Sequence, residues 1–486
     1  MTEDDMRTLS LPSRSLALCA LLSACAVGPN YKKPDLAAPP AFVSTQVPDG
    51  AAAPRADWWN AFGDPMLTTF VVRAEAQNLD IAQALARVRQ ARAGLQQATA
   101  ALLPSGTVSG QATTAHLSTD TPTGRIVTQV AGAGRDLETY ELNANAGWEL
   151  DLFGGLRRGR EAAVADYQAS RAGVAAARLS IAAQTADTYV TIRGLQARLA
   201  IARDQVETQR RLVQTVALQY AKGVAAELQL RQAEGALAQI EAIVPVLENA
   251  RDMALNALDI LLGQQPGTCR QELAEVQPIP SVPALGDIGT PADLLRRRPD
   301  LIAAERHLAA SNARIGSAIA EYFPKLSIGG LIGTATTTTS TLFTGGAFQA
   351  QGVAGLRWRL FDFGRVDAEI KIARGQNAEA LAFYRLSVLR ASEDVENALS
   401  ALTQRSQQQE TLAGGERALA RARDASFAAY KGGVVSLIEV LDADSRLLGT
   451  RDARAQAQTE AARAAIATYR ALGGGWEILG PTDGRI

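Results

Sequence analysis

From Tyr140 to Leu152 the chain reads Tyr-Glu-Leu-Asn-Ala-Asn-Ala-Gly-Trp-Glu-Leu-Asp-Leu, with every even position apolar and every odd one acidic, Asn or Gly. Alternation this strict describes a β-strand with one oily and one wet face, because successive side chains leave opposite sides of the pleat. The device returns at Phe348–Leu360, and Trp358 and Phe363-Gly364 stand 210 residues after Trp148 and Phe153-Gly154. Each stretch has the roughly 10 residues that a tilted strand needs to cross a bilayer. Almost everything else is Ala-rich and reads as helix. The expected fold class is therefore mainly α with membrane β-hairpins.

The duplication extends further. Asp80…Leu103-Pro104 recurs as Asp300…Phe323-Pro324 at an offset of 220, so the chain is internally duplicated. The change of offset assigns ten extra residues to the loop His116–Thr139, rich in Thr, Gly and Asp. Weaker first strands near Thr107–Thr113 and Leu326–Thr334 complete one hairpin per half. An open four-stranded sheet cannot stand in lipid, because its edge N–H and C=O groups lack partners. It must close with copies of itself, and closure permits eight, twelve or sixteen strands.

Each hairpin is followed by a long helical pattern, Leu156–Lys222 and Val366–Lys431; about 65 residues reach on the order of 100 Å. In the first, Ile192, Leu195, Leu199, Ala202, Val206, Gln209, Val213, Val216 and Tyr220 keep coiled-coil spacing, with Gln209 as the polar interruption. The second has Arg405, Gln409, Glu416 and Arg423 at equivalent places. Both end alike, in Tyr220-Ala-Lys-Gly-Val224 and Tyr430-Lys-Gly-Gly-Val434, where Lys suits the helix dipole and Gly the left-handed cap. Return helices are expected over Glu227–Leu262 and Leu437–Leu472. A helix over Pro65–Leu103 should break near Asn78-Leu79-Asp80. Tyr31–Pro65 reads as extended chain anchored by Trp58, Trp59 and Phe62, and Gln264–Pro291 as an ordered linker.

At the start, the apolar run Leu16–Leu22 is too short to span a membrane and reads as a signal-peptide core ending in Leu22-Ser-Ala-Cys25, a lipobox-like site. Cleavage would leave Cys25 as the first mature residue, acylated; Ala26 in place of Asp directs the lipid to the outer membrane. Acidic residues before Met6 leave both Met1 and Met6 open as starts. With Cys25 acylated and Cys19 removed, Cys269 stands alone and no intrachain disulfide forms. The divisions expected are a signal peptide 1–24, a lipidated extended segment 25–75, a first repeat 76–262 (hairpin about 105–152), a linker 263–295, a second repeat 296–472 (hairpin about 325–361) and a tail 473–486.

A net charge of −1 without a basic cluster offers nothing to nucleic acid. The two histidines, His116 and His307, lack neighbours at metal-ligand spacing, and no phosphate-binding loop or catalytic triad can be assembled. No enzyme, metal or cofactor is expected.

Six motifs then resemble one family: Cys25-Ala-Val-Gly-Pro-Asn-Tyr31, Trp58-Trp59…Phe62-Gly-Asp-Pro65, Arg297-Arg-Pro-Asp-Leu301, the repeated Tyr-x-x-Gly-Val turn, Val440-Leu-Asp-Ala443 and Ala471-Leu-Gly-Gly-Gly-Trp476. In that order they resemble the TolC-type outer-membrane efflux lipoproteins, the NodT branch serving RND pumps. The resemblance implies a homotrimer: a trimeric 12-stranded outer-membrane β-barrel continued by a 12-helix periplasmic α-barrel. It further implies a periplasmic adaptor protein docked at turn tips Gly223, Val224, Gly433 and Val434, and an inner-membrane RND transporter. Ile438-Glu-Val-Leu-Asp-Ala443 is similar to the family's constriction motif, which makes Glu439 and Asp442, three apart on one helical face, the expected periplasmic gate. Only the second turn carries this motif. In outer-membrane lipid, Leu142, Leu150, Leu356 and Leu360 should face the hydrocarbon, and Glu141, Asn143, Glu149, Arg357 and Arg359 the channel. Two alternatives share parts of the pattern: a channel for type I protein secretion with an ABC exporter, and a non-channel periplasmic coiled-coil scaffold.

Overall fold

The computed structural model describes residues 26–35, 41–43, 57–130, 134–283 and 290–474. In chain order the elements are α1 (Pro65–Gln77), α2 (Leu79–Ala100), β1 (Ser105–His116), α3 (Pro122–Gln129), β2 (Asp136–Leu150), α4 (Gly155–Ala221), α5 (Glu227–Glu241), α6 (Ile243–Leu261), α7 (Pro291–Arg297), α8 (Pro299–Ala320), β3 (Lys325–Thr336), β4 (Phe348–Arg357), α9 (Arg365–Lys431) and α10 (Leu437–Ala471). The duplication holds at residue level. Helices α2 and α8 both have 22 residues, strands β1 and β3 both 12, and helices α4 and α9 both 67.

Local chemistry sets the boundaries. Asp64 caps α1 by accepting the Met66 and Leu67 N–H groups at 2.8 and 3.0 Å, with Pro65 in the first turn, where its missing N–H costs nothing. Asn78 then breaks the helix: its Oδ1 accepts from Asp80 and Ile81 to start α2, while its Nδ2 donates to the Leu261 carbonyl at 2.9 Å.

Three sequence expectations need correction. The first return helix is divided at Ala242 into α5 and α6, because Pro245 has no N–H to offer the Glu241 carbonyl. The loop His116–Thr139 contains the short helix α3, started by Thr121, whose side chain accepts from Gly124 at 3.2 Å. Strand β4 stops at Arg357 instead of running to Leu360, since Arg357 pairs with Lys325, the first residue of β3, and the ladder ends with that pair.

The four strands form one antiparallel sheet in the order β1-β2-β3-β4, so β2 of the first hairpin pairs with β3 of the second. Two compact units draw on both repeats. Of the described residues, one gathers those within 26–34, Arg89–Ala169 and Glu305–Phe383; the other gathers those within Asp35–Val88, Ser170–Ala304 and 384–474. In the first unit the start of α4 meets α8 through Ala162, Ala165, Ala309, Ala310 and Ala313, residues small enough for close helix approach. The second is centred on Trp58, Phe62, Phe70, Tyr189, Ile192, Leu258 and Leu262. Trp58 stacks on Tyr469 with centroids 5.3 Å apart, so the aromatic segment before α1 packs onto the body.

Candidate functional site

In the sheet, register sorts the side chains. Leu142 lies opposite Gly110 and Thr334, Leu150 opposite Leu326, and Leu326 opposite Leu356, so these share one face with Val108, Ile328, Ile332 and Phe348. Glu141, Asn143, Glu149 and Arg357 occupy the other, with Ser109, Gln111 and Gln349. Asn143 crosses Gly333 to accept a hydrogen bond from Gln349 Nε2 at 2.8 Å; a Cβ at Gly333 would stand 2.2 Å from Asn143 Oδ1. Arg359 and Leu360 fall beyond the end of β4. At the strand bases the duplication repeats a hydrogen bond: Trp148 Nε1 donates to the Leu102 carbonyl at 2.9 Å, and Trp358 Nε1 to that of Tyr322 at 3.0 Å.

Cys25 lies outside the described residues, but the chain directly after it is tightly held. Val27 N–H donates to the Phe153 carbonyl at 3.0 Å. Arg158, 5% exposed, donates to the Val27 and Gly28 carbonyls and to Asn30 Oδ1 at 3.2, 3.3 and 2.7 Å. Asn312 donates to the Pro29 carbonyl at 3.0 Å, and Tyr31 OH to Glu305. Gly28 has φ 92°, and a Cβ there would stand 2.5 Å from the Gly316 Cα, so only glycine fits this approach. Sequence reasoning took the segment as merely extended; the Gly28-Pro29 pair was the available signal.

The two helix turns are near copies. Gly223 and Gly433 take φ 74° and 72°. Gly223 N–H donates to the Tyr220 carbonyl and Val224 N–H to that of Gln219, both at 2.9 Å; Gly433 and Val434 repeat this with Tyr430 and Ala429 at 3.0 and 2.9 Å. Leu212, Val216, Ala233, Leu437 and Val440 are buried beneath, and Tyr430 OH donates to Gln219 Oε1 at 2.8 Å. Against that fixed base, Val224 and Val434 stand 76% and 79% exposed, with Leu228 and Ile438 also outward. Uncovered apolar groups on a rigid turn suit a protein partner.

Glu439 and Asp442 are both exposed. Glu439 sits in the first turn of α10, where a carboxylate suits the helix N-terminus, and Asp442 pairs with Arg446 one turn on at 2.8 Å. Sequence reasoning passed over Asp444, which is 4% exposed and bonded to Arg423 Nε at 2.8 Å. Its signal was Arg423 itself, a charge in the middle of a coiled-coil stripe.

Elsewhere, His116 Nδ1 lies 2.6 Å from Asp136 and His307 Nδ1 3.6 Å from Asp166. Cys269 is buried, and burial together with Asp259 pushes its thiol up to about 12. Among the described residues no group of three His, Cys, Asp or Glu is arranged to hold a metal, and no helix is long and apolar enough to cross a membrane.

The family model for outer membrane efflux protein matches residues 70–264 and 290–474. Nodulation protein T of Rhizobium leguminosarum bv. trifolii is 31% identical, the match covering 94% of this chain and 96% of that protein. The pyoverdine export outer membrane protein OpmQ of Pseudomonas putida is 31% identical, over 96% and 98%. The solved structure of the outer-membrane channel OprN is 33% identical with a TM-score of 0.85, over 93% of this chain and 100% of that one.

Proposed function

The chain belongs to the outer membrane efflux protein family, and from that premise we propose that it is the exit duct of a tripartite pump, three copies closing twelve strands into one barrel. In the outer membrane it works as an efflux channel with a periplasmic tunnel. The observation that carries this reading is the duplicated unit itself: a hairpin with one apolar and one polar face, joined to a 67-residue helix, twice per chain. A strand pair with these faces suits a wall between lipid and water, and helices of this length suit reach across the periplasm.

The finer reading has four parts. Acyl chains on Cys25 assist sorting, with the segment 26–31 fixing their point of attachment. The turns at Gly223-Val224 and Gly433-Val434 dock a periplasmic adaptor, which joins the duct to an inner-membrane RND transporter. Glu439 and Asp442 form acidic rings at the tunnel mouth. The duct is passive, with no catalytic step of its own. The type I secretion reading has no observation in its favour; among the relatives, OpmQ is named for pyoverdine export and CusC of Escherichia coli for cation efflux.

The test is a deletion strain loaded with a panel of dyes, antibiotics and metal ions. Accumulation of at least one class should rise several-fold and return to baseline when the gene is supplied in trans. Unchanged accumulation across the panel, with no adaptor recovered by crosslinking to Val224→Cys or Val434→Cys, would overturn the reading.

A further inference from the structure

The sheet leaves two strand edges bare, and the duplication tells what belongs on them. Within the chain β2 pairs with β3, Tyr140 opposite Thr336 and Ala146 opposite Gly330. Strand β4 is the counterpart of β2 at an offset of 210, and β1 the counterpart of β3 at 220. Carrying the register across by those offsets, we propose that β4 of one copy pairs with β1 of the next, Leu356 opposite Gly110, Val353 opposite Thr113 and Ala350 opposite His116. This rests on the reading of a barrel closed by three copies, and it specifies the joint between them.

A second observation points the same way. At the joint inside the chain, Phe153 stacks on Phe323 with centroids 4.5 Å apart and planes at 18°. The counterparts of that pair are Phe363 and Leu103. Phe363 is wholly exposed, Phe361 beside it is 90% exposed, and Leu103 is 61% exposed. Phe363 also has φ 53°, a left-handed backbone that a bulky residue adopts only at a cost. Strand β1 is exposed along almost its whole length, while its counterpart β3 is half-buried. A bare Phe on a strained backbone and a bare Leu are the two halves of one missing contact: Phe363 of one copy seats on Leu103 of the next.

The register is chemically consistent. Leu356 and Ala354 meet Gly110 and Ala112 on the apolar face, while Arg357 meets Ser109 on the polar one. A slip of one residue would turn Arg357 toward lipid. Slips of two keep the faces, so the offsets alone choose among them. Val353 against Thr113 is a pair of β-branched residues, which favours cross-strand packing where the internal joint has Asn143 against Gly333. Closure of β4 onto β1 of its own chain would make a four-stranded barrel, far below the about eight strands whose interior side chains can fill.

The experiment pairs Val353→Cys with Thr113→Cys on the channel face, oxidised with copper phenanthroline in outer-membrane vesicles and read on a heated, non-reducing gel. Cys269, buried with its thiol pushed up to about 12, leaves the wild type uncrosslinked. Most of the protein should shift to the mass of three chains, and pairing Val353→Cys with Gln111→Cys or Ala115→Cys should give several-fold less. Stronger crosslinking at a displaced pair, or none in a preparation whose native mass is three chains, would overturn the register while leaving the trimer standing. A monomeric native mass would overturn both, and a crosslinked single chain would overturn closure between copies. Phe363→Ala and Leu103→Ala should each lower the trimer's dissociation temperature, and together no more than the worse of them; additive losses would remove the contact.

Discussion

Replacing both carboxylates of the proposed mouth ring, by Glu439→Gln with Asp442→Asn, should reverse the ion preference of the channel. The ion pair decides this: Asp442 is bonded to Arg446 at 2.8 Å, and both side chains are more than half exposed. Each copy therefore brings two carboxylates and one guanidinium, a net −1, and three copies bring −3. Either single neutralisation takes the ring to zero, the double to +3, and Arg446→Gln to −6. One unit charge at about 10 Å in water is worth about 0.4 kcal/mol to a passing monovalent ion, so three give about 1.2 kcal/mol, close to a tenfold enrichment of cations. At 0.1 M salt the Debye length of about 10 Å removes much of this; at 0.01 M, where it is about 30 Å, most survives. The assay is the reversal potential of single channels in a planar bilayer under a low-salt KCl gradient. Wild type should prefer cations, the single variants neither ion, the double variant anions, and Arg446→Gln cations more strongly than wild type. Identical reversal potentials in all of them would place these residues outside the pore.

Four further outcomes follow from the same geometry. Cys25→Ser should lose incorporation of radioactive palmitate yet still reach the outer membrane, because the barrel carries insertion; equal labelling of variant and wild type would sink the lipidation. Ala144→Arg, on the face shared with Val108 and Ile332, should cost about 2–4 kcal/mol near mid-membrane and reduce heat-modifiable trimer well below Asn145→Arg, and equal yields would show the facing to be wrong. Gly194→Ala places a Cβ 2.2 Å from Thr459 Oγ1 and 2.7 Å from its Cγ2, an overpacking of about 1–3 kcal/mol partly offset by about 1 kcal/mol of helix propensity. Adding Thr459→Ala should restore most of the lost thermal stability, and a double variant no better than the single would refute that contact. Burial raises the Glu305 carboxyl, but hydrogen bonds from Arg306 and Tyr31 outweigh it and hold it below the ordinary value. A depressed carboxylate stabilises above the unfolded value of about 4.3 and loses that contribution as pH falls through the folded one, so the protection of amides in residues 26–31, taken relative to the intrinsic exchange rate at each pH, should be flat from pH 7 to 5 and fall below about pH 4. Protection that fell instead on going from pH 5 to 7, or stayed flat down to pH 3, would contradict it.

What the sequence showed plainly was whatever repeats or alternates. The ends of α4 and α9 are legible to within a residue, because the Gly223 and Gly433 caps are local and occur twice. The division at Ala242 was missed because the three-four pattern runs through it without a flaw, and only Pro245 marks it. The hold of Arg158 on residues 27–30 was not legible as a pairing, since the partners stand about 130 positions apart; Gly28-Pro29 marks a special backbone there but does not name the side chain that holds it.

The polar places in the second coiled-coil stripe are the most instructive case. On α4, Leu199 and Ala202 bury against Leu247 of α6, so the stripe reads as apolar and is held by apolar contact. On α9, Glu416 receives Arg451 at 3.3 Å and Arg454 at 2.6 Å, and Arg423 binds the buried Asp444 at 2.8 Å, all from α10. Charges that look like defects in one helix are thus half of a complementary set whose other half lies on the return helix. Single-helix periodicity cannot register this, because it scores a charged seam position as a failure whatever stands opposite. Stripping one partner from such a seam leaves the other desolvated and unpaired, whereas the same truncation on α4 leaves only a cavity. The two halves therefore share a backbone plan while answering differently to charge, and it is the second half, next to Glu439 and Asp442 on α10, that has the ionic seam.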